Sequence, residues 1–192
     1  MLRFTLTSTK LKKLIMKIES LIIPDVKVIT PKIFEDERGF FYESFNQKHF
    51  EDRIGRKISF VQDNHSFSKK NVIRGLHFQN KPFSQGKLVR VVSGEVLDIA
   101  VDLRKESKYY KKWISYNLSE KSHNQLWVPE GFAHGFIVLS DFATVLYKAT
   151  NYYSKEHEGG IHPFDEQINI KWPVDKKLCI LSSKDSSLPK FK

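Results

Sequence analysis

Three stretches of the chain carry side chains suited to moving protons. Arg74-Gly75-Leu76-His77-Phe78-Gln79 holds an imidazole inside a run with strand character. Period-two alternation puts Gly75, His77 and Gln79 on one face. A glycine within a strand marks a close approach by a ligand or by another backbone. In Pro129-Glu130-Gly131-Phe132-Ala133-His134-Gly135-Phe136 a second histidine follows a Pro/Gly turn. In Leu146-Tyr147-Lys148 a phenol shares a strand face with Ala143, Val145 and Ala149. Lys87 opens a further strand, alternating with Val89 and Val91. Imidazole titrates near neutrality, and a fixed ammonium stabilises negative charge as it develops. Taken singly, each of these residues equally suits a structural role: a satisfied histidine in a strand, or a tyrosine packed among small apolar neighbours.

The elements that must carry these side chains are strands. The chain has 192 residues, 40% of them hydrophobic and 28% charged, which excludes a disordered chain. Aromatic residues make up 13%, with 15 phenylalanines, a bias toward pleated surfaces. Short runs rich in Val, Ile, Phe and Tyr begin at Val26, Phe40, Ile58, Val72, Lys87, Trp113, Gln125, Phe136 and Thr144. Ser93-Gly94 joins Val91-Val92 to Glu95-Val96-Leu97 and is expected to close a hairpin, with Gly94 supplying a positive φ. Leu97, Ile99, Val101 and Leu103 alternate with Asp98, Ala100 and Asp102. About ten strands with short turns imply a β-sandwich or barrel. Residues 23–192 are expected to form one domain, since neither a repeat nor a low-complexity linker divides them. Residues 1–22 stand apart as an extension. Leu11, Leu14, Ile15, Ile18 and Leu21 fall near helical spacing, so the extension is expected to be a short amphipathic helix or a frayed appendage, and Met16 is an alternative start.

Charge and cysteine content exclude several classes. The net charge is +10, but residues 1–17 carry +5 and residues 171–192 carry +4, leaving +1 for the body. Solvated basic ends explain this distribution better than a nucleic-acid-binding surface. The single cysteine, Cys179, excludes an intrachain disulfide and a Cys-rich metal site, and fits a reducing, cytoplasmic setting. No run of 18 apolar residues is present, and lysines interrupt every apolar stretch near the start, so neither a membrane span nor a signal peptide is expected.

The Pro-x-Gly-x-x-His turn following a Gly-x-His-x-Gln strand resembles the paired half-motifs of the cupin barrel. The fuller set resembles one cupin family, the dTDP-4-dehydrorhamnose 3,5-epimerases. The matching stretches are 34–43, 60–64, 74–79, 85–89, 94–104, 126–136, Tyr147-Lys148 and 170–173, in the family order, so that the resemblance runs from Ile23 to Asp185. It implies an all-β fold, a cupin-type jelly-roll barrel (double-stranded β-helix) with a few short peripheral helices. It also implies an isomerase without cofactor or metal, acting on a dTDP-sugar in dTDP-L-rhamnose biosynthesis. By resemblance His77 is the base, Tyr147 the opposing acid, Lys87 the enolate-stabilising cation and Asp185 the carboxylate that orients His77. Arg74, Arg38, Gln62, Asn64 and His134 match substrate contacts, and Phe34 and Glu43 match residues on the thymine side. In the family Phe34, Arg38 and Glu43 belong to the neighbouring subunit, which implies a homodimer with shared sites and no membrane or nucleic-acid partner.

Residue chemistry agrees with this reaction. Inverting a carbon beside a ketone requires a base on one face of the sugar, an acid on the other, and stabilisation of the enolate between them. Two departures from the family pattern fall in loops: His162-Pro163-Phe164-Asp165-Glu166, and Ser107-Lys108-Tyr109-Tyr110-Lys111. Alternatives remain at this stage. A single-centre 3- or 5-epimerase would use the same groups. A metal-dependent cupin would need about three or four converging His or carboxylate ligands, whereas the half-motifs offer two histidines. A non-catalytic sugar-binding cupin would have no need to keep His77, Lys87, Tyr147 and Asp185 together.

Overall fold

Runs of β-branched and aromatic residues broken by Gly, Pro and Asn fold here into two facing antiparallel sheets. A computed structural model of the chain describes residues 16–191. The strands are β1 (Met16–Ser20), β2 (Lys27–Pro31), β3 (Phe34–Asp36), β4 (Gly39–Phe41), β5 (Gln62–Lys69), β6 (Ile73–Gln79), β7 (Lys87–Ser93), β8 (Glu95–Asp102), β9 (Trp113–Ser119), β10 (Gln125–Val128), β11 (Phe132–Val138), β12 (Phe142–Ala149) and β13 (Glu158–Gly160). Six of them pair in the order β1-β2-β10-β7-β12-β5, five in the order β13-β6-β11-β8-β9, and β3-β4 forms a separate hairpin. Among the described residues two α-helices lie outside the sheets, α1 (Gln47–Ile54) and α2 (Ser183–Ser186). This is the expected jelly-roll barrel with short peripheral helices.

The core follows from alternation. Val28, Val89, Val91, Leu126, Val128, Ala143 and Val145 point inward from the six-stranded sheet. They meet Val96, Ala100, Leu118, Phe132, Phe136 and Val138 from the five-stranded sheet. Each outer face has its own cover. Phe50 of α1 packs with Met16, Ile29, Leu88 and Trp127 against the six-stranded sheet. Ile161, Ile168, Ile170 and Trp172 pack over Leu76, Ile99 and Val101 of the other. Helix α1 starts where the Asn46 side chain accepts the His49 N–H and ends at Gly55, whose φ of +84° suits glycine.

Several sequence expectations are corrected. The helical spacing over residues 11–21 is overridden at Met16–Ser20, which pairs as a strand with Lys27–Pro31, because ladder hydrogen bonds and burial of Met16 outweigh a weak helical pattern. Leu11, Leu14 and Ile15 lie outside the described residues. Ile58 to Val61 is not a strand; the polar stretch Gln62–Lys69 is, since pairing with β12 suffices where alternate side chains need be only half-buried. Ser93-Gly94 is not a hairpin. Strand β7 pairs with β10 and β12, while β8 pairs with β9 and β11, so the turn carries the chain from one sheet to the other. Gly94 does take a positive φ of +80°, and a Cβ there would lie 2.0 Å from the Phe142 carbonyl oxygen.

Candidate active site

A cavity of about 310 Å³ is lined from both sheets. Arg74 and His77 enter from β6, His134 from β11, Lys87 from β7 and Tyr147 from β12; Asp185 enters from α2, and Glu158 from β13. The close approach that Gly75 signals is between strands β6 and β11. A Cβ on Gly75, at φ +126°, would lie 2.6 Å from the Gly135 Cα. This contact sets His77 opposite His134 in register and forces a shift between His134 and Phe136, so Arg74 and His77 both reach the cavity although strict alternation separates them. Gln79, expected on the face of His77, serves instead as a brace. Its amide donates to the Phe83 and Tyr152 carbonyls and accepts the Ser154 N–H.

Each histidine is held by its own aspartate. His77 Nε2 lies 2.7 Å from Asp185 Oδ1, and Asp185 Oδ2 accepts the Gly75 N–H at 3.4 Å. Burial pushes the Asp185 carboxyl up, but the hydrogen bond and charge of His77, with the Gly75 and Ser182 bonds, outweigh it and hold the group below the usual carboxylate range. His134 Nε2 lies 2.9 and 3.0 Å from the two oxygens of Asp98, which has no exposed surface. The Leu97–Leu103 alternation is real, yet its polar face is the interior one. Strand β8 is buried on both sides, so Asp98 points into the barrel.

The remaining groups set the local field. Lys87 is 9% exposed, and burial pushes its ammonium down to about 8 against the pull of the Asp98 and Glu158 charges. Its Nζ lies 5.8 Å from the centre of the Tyr147 ring. Burial raises the Tyr147 phenol above its ordinary value; the Arg74 charge opposes this and the Glu158 charge adds to it. Arg74 is steadied by Ser68 Oγ at 2.8 Å and the Phe67 carbonyl at 3.1 Å. Among the described residues no three His, Cys, Asp or Glu side chains gather in a metal-ligating group.

The other expected contacts lie apart from this cavity. Gln62 and Asn64 sit on β5 beside Tyr147, joined by a 2.8 Å hydrogen bond, and Gln62 Oε1 accepts the Tyr153 N–H. Asn64 Nδ2 and, on the same strand face, Ser66 Oγ are buried without a partner. Phe34 and Arg38 belong to the exposed β3-β4 hairpin, where Arg38 pairs with Asp36 of its own turn. Glu43 accepts from Asn46 at 3.1 Å at the start of α1. Sequence reading overlooked Asp98, Ser66, Glu158 and Lys184. Glu158 accepts from Lys184 at 2.5 Å and from Tyr153 at 3.0 Å. None of these residues carries a local motif; only the ladder positions of Asp98 and Glu158 would have pointed inward.

Residues 20–192 match a family model described as dTDP-4-dehydrorhamnose 3,5-epimerase. The chain is 60% identical over 167 residues to the dTDP-4-dehydrorhamnose 3,5-epimerase of Salmonella typhimurium strain LT2, covering 87% of this chain and 91% of that protein. A dTDP-6-deoxy-D-glucose-3,5-epimerase of Legionella pneumophila, solved in complex with dTDP-4-keto-L-rhamnose, superposes with a TM-score of 0.86 at 46% identity, over 92% of this chain and 99% of that one. A 3'-monoepimerase of Streptomyces bikiniensis, in complex with dTDP-quinovose, superposes with a TM-score of 0.84 at 28% identity, over 90% and 86% of the two chains.

Proposed function

Because this chain belongs to the dTDP-4-dehydrorhamnose 3,5-epimerase family, we propose that it epimerises dTDP-4-dehydro-6-deoxy-D-glucose at C3 and C5 to dTDP-4-dehydro-L-rhamnose. One observation carries the reading: His77 and Tyr147 enter one cavity from opposite sheets, with Lys87 beside Tyr147. A sugar held between the sheets presents one face to each. His77 Nε2 is engaged by Asp185, so the ring is oriented for its free nitrogen to take the proton beside the ketone. Lys87 stabilises the enolate oxygen as charge develops. The raised phenol of Tyr147 stays protonated at neutral pH and returns a proton from the other side. Arg74 and His134 contact the substrate inside the cavity. Gln62 and Asn64 extend that contact along β5, where the unpartnered Asn64 amide needs an acceptor. Phe34, Arg38 and Glu43 complete the site of a second copy in a homodimer; the hairpin's exposed aromatic and guanidinium groups support that assignment.

The test is incubation with dTDP-4-dehydro-6-deoxy-D-glucose in deuterium oxide, with C3 and C5 read by NMR. Both centres should exchange and invert, whereas inversion of one centre alone would make this a monoepimerase. His77→Ala should show neither exchange nor inversion. In Tyr147→Phe inversion should fall by about 10²–10⁴-fold, with exchange from the His77 side persisting. Normal inversion there would return Tyr147 to a packing role. Mixed Arg38→Ala and His77→Ala chains should recover part of the activity, since one site of a mixed dimer carries neither lesion. No recovery after verified subunit exchange would refute site sharing.

A further inference from the structure

Asp185 reaches His77 because the chain around it is held at both ends. Upstream, the Ile73 N–H donates to the Ile180 carbonyl at 3.0 Å and the Ile180 N–H to the Asn71 carbonyl at 2.9 Å. Downstream, residues 188–191 lie as a strap across the loop 161–168. The His162 N–H donates to the Pro189 carbonyl at 2.9 Å, and Gln167 Nε2 donates to the Phe191 carbonyl at 2.9 Å. Between the anchors, α2 has four residues and one turn, too short to hold itself.

Asp165 joins loop to strap. It is 3% exposed, and every bond it accepts comes from a backbone N–H. Its Oδ1 takes those of Gln167 and Ile168, both at 2.9 Å, which shape its own loop. Its Oδ2 takes that of Phe191 at 2.7 Å, across 26 residues of chain. A buried carboxylate is costly unless its oxygens are satisfied, and only a docked strap satisfies Oδ2.

We infer that Asp165 is a positioning residue for this reaction: by holding Phe191 it closes the strap, steadies α2 against β6 and keeps Asp185 on His77. The inference rests on the epimerase reading and gives the departing loop 162–166 a task in it. Asparagine at 165 keeps the volume and one oxygen for the local turn, but sets an amide N–H₂ against the Phe191 N–H.

The experiment measures kcat on dTDP-4-dehydro-6-deoxy-D-glucose for the full chain, Asp165→Asn, Asp185→Asn and the double variant. Asp165→Asn should lower kcat about tenfold. In the Asp185→Asn background the same change should cost less than about twofold, because the group it acts through is already lost. A chain ending at Pro189 removes the Phe191 donor with Asp165 untouched and should show the same dependence on background; it decides the matter if Asp165→Asn does not fold. Equal losses in both backgrounds, or wild-type kcat in Asp165→Asn and the shortened chain, overturn the inference. Amide hydrogen exchange over residues 182–187 reads positioning without turnover: faster exchange in Asp165→Asn supports it and unchanged exchange overturns it. A wild-type chain that neither turns over nor exchanges the substrate would overturn the epimerase reading instead, and the amide measurement would still decide the role of Asp165.

Discussion

His134 and Asp98 stand on neighbouring strands of one sheet, 36 residues apart, with side chains 7% and 0% exposed. His77 and Asp185 are 108 residues apart, and the imidazole is 31% exposed. The first pair is a product of register: once β8 and β11 are zipped, Phe136 faces Asp98 and His134 lies within reach. The second forms only when the C-terminal segment docks on β6. A pair inside a central sheet opens only with the sheet, whereas a pair closed by a strap belongs to the less stable, more readily opened part of the fold. In the proposed mechanism the partly open imidazole takes the substrate proton, while the enclosed one contacts the sugar from a fixed place in the wall.

That contrast can be broken by experiment. The largest expected effect is on stability. Asp98→Ala leaves His134 without its buried partner and should lower the unfolding free energy by about 3 kcal/mol in urea titration. Asp185→Ala should cost about 1 kcal/mol in the same measurement, since the His77 imidazole it leaves behind is 31% exposed. Equal losses would mean that the two pairs are equally structural. Activity should rank them the other way. Asp185→Asn should reduce kcat about a hundredfold by releasing the His77 ring. Asp98→Asn, which keeps an acceptor for His134, should cost less than about tenfold.

The last test concerns Lys87, which feels Asp98 and Glu158 and is held near 8 by burial. In the proposed mechanism the charged form of Lys87 is the useful one, so kcat/KM should be full well below pH 8 and fall as pH rises through about 8. Lys87→Arg should move that alkaline limb upward, and an unmoved limb would assign it to another group. Stability should run oppositely. Between about 8 and the ordinary lysine value of 10.5 the unfolded chain binds the extra proton, so the Lys87 contribution rises with pH across that window. Lys87→Met should flatten the rise.

Much of the scaffold is legible in the residues themselves. Short runs at Lys87–Ser93 and Trp113–Ser119 are recognisable as strands from their β-branched and aromatic residues, and the Pro129-Glu130-Gly131 turn marks where another begins. Gln62–Lys69 escaped because its pattern is polar and its strand character comes from pairing with β12. At the cavity, His77, Lys87, Tyr147 and His134 were visible as residue types within strands. Asp98 and Glu158 were not, because a carboxylate in a strand looks like a solvent-facing residue until both faces of its sheet are covered.

Side-chain chemistry, strand alternation and the positive φ at Gly94 are local properties, and adjacent residues suffice to set them. Which sheet each strand joins, which way Asp98 faces and what holds Asp185 on His77 depend on contacts between residues far apart in the chain. Local spacing carries no information about such contacts, because they form only when loop-closure entropy is repaid by burial across the whole barrel. The Ser93-Gly94 turn shows the division: glycine permitted the bend, and the packing of two sheets decided that it would cross between them rather than close a hairpin.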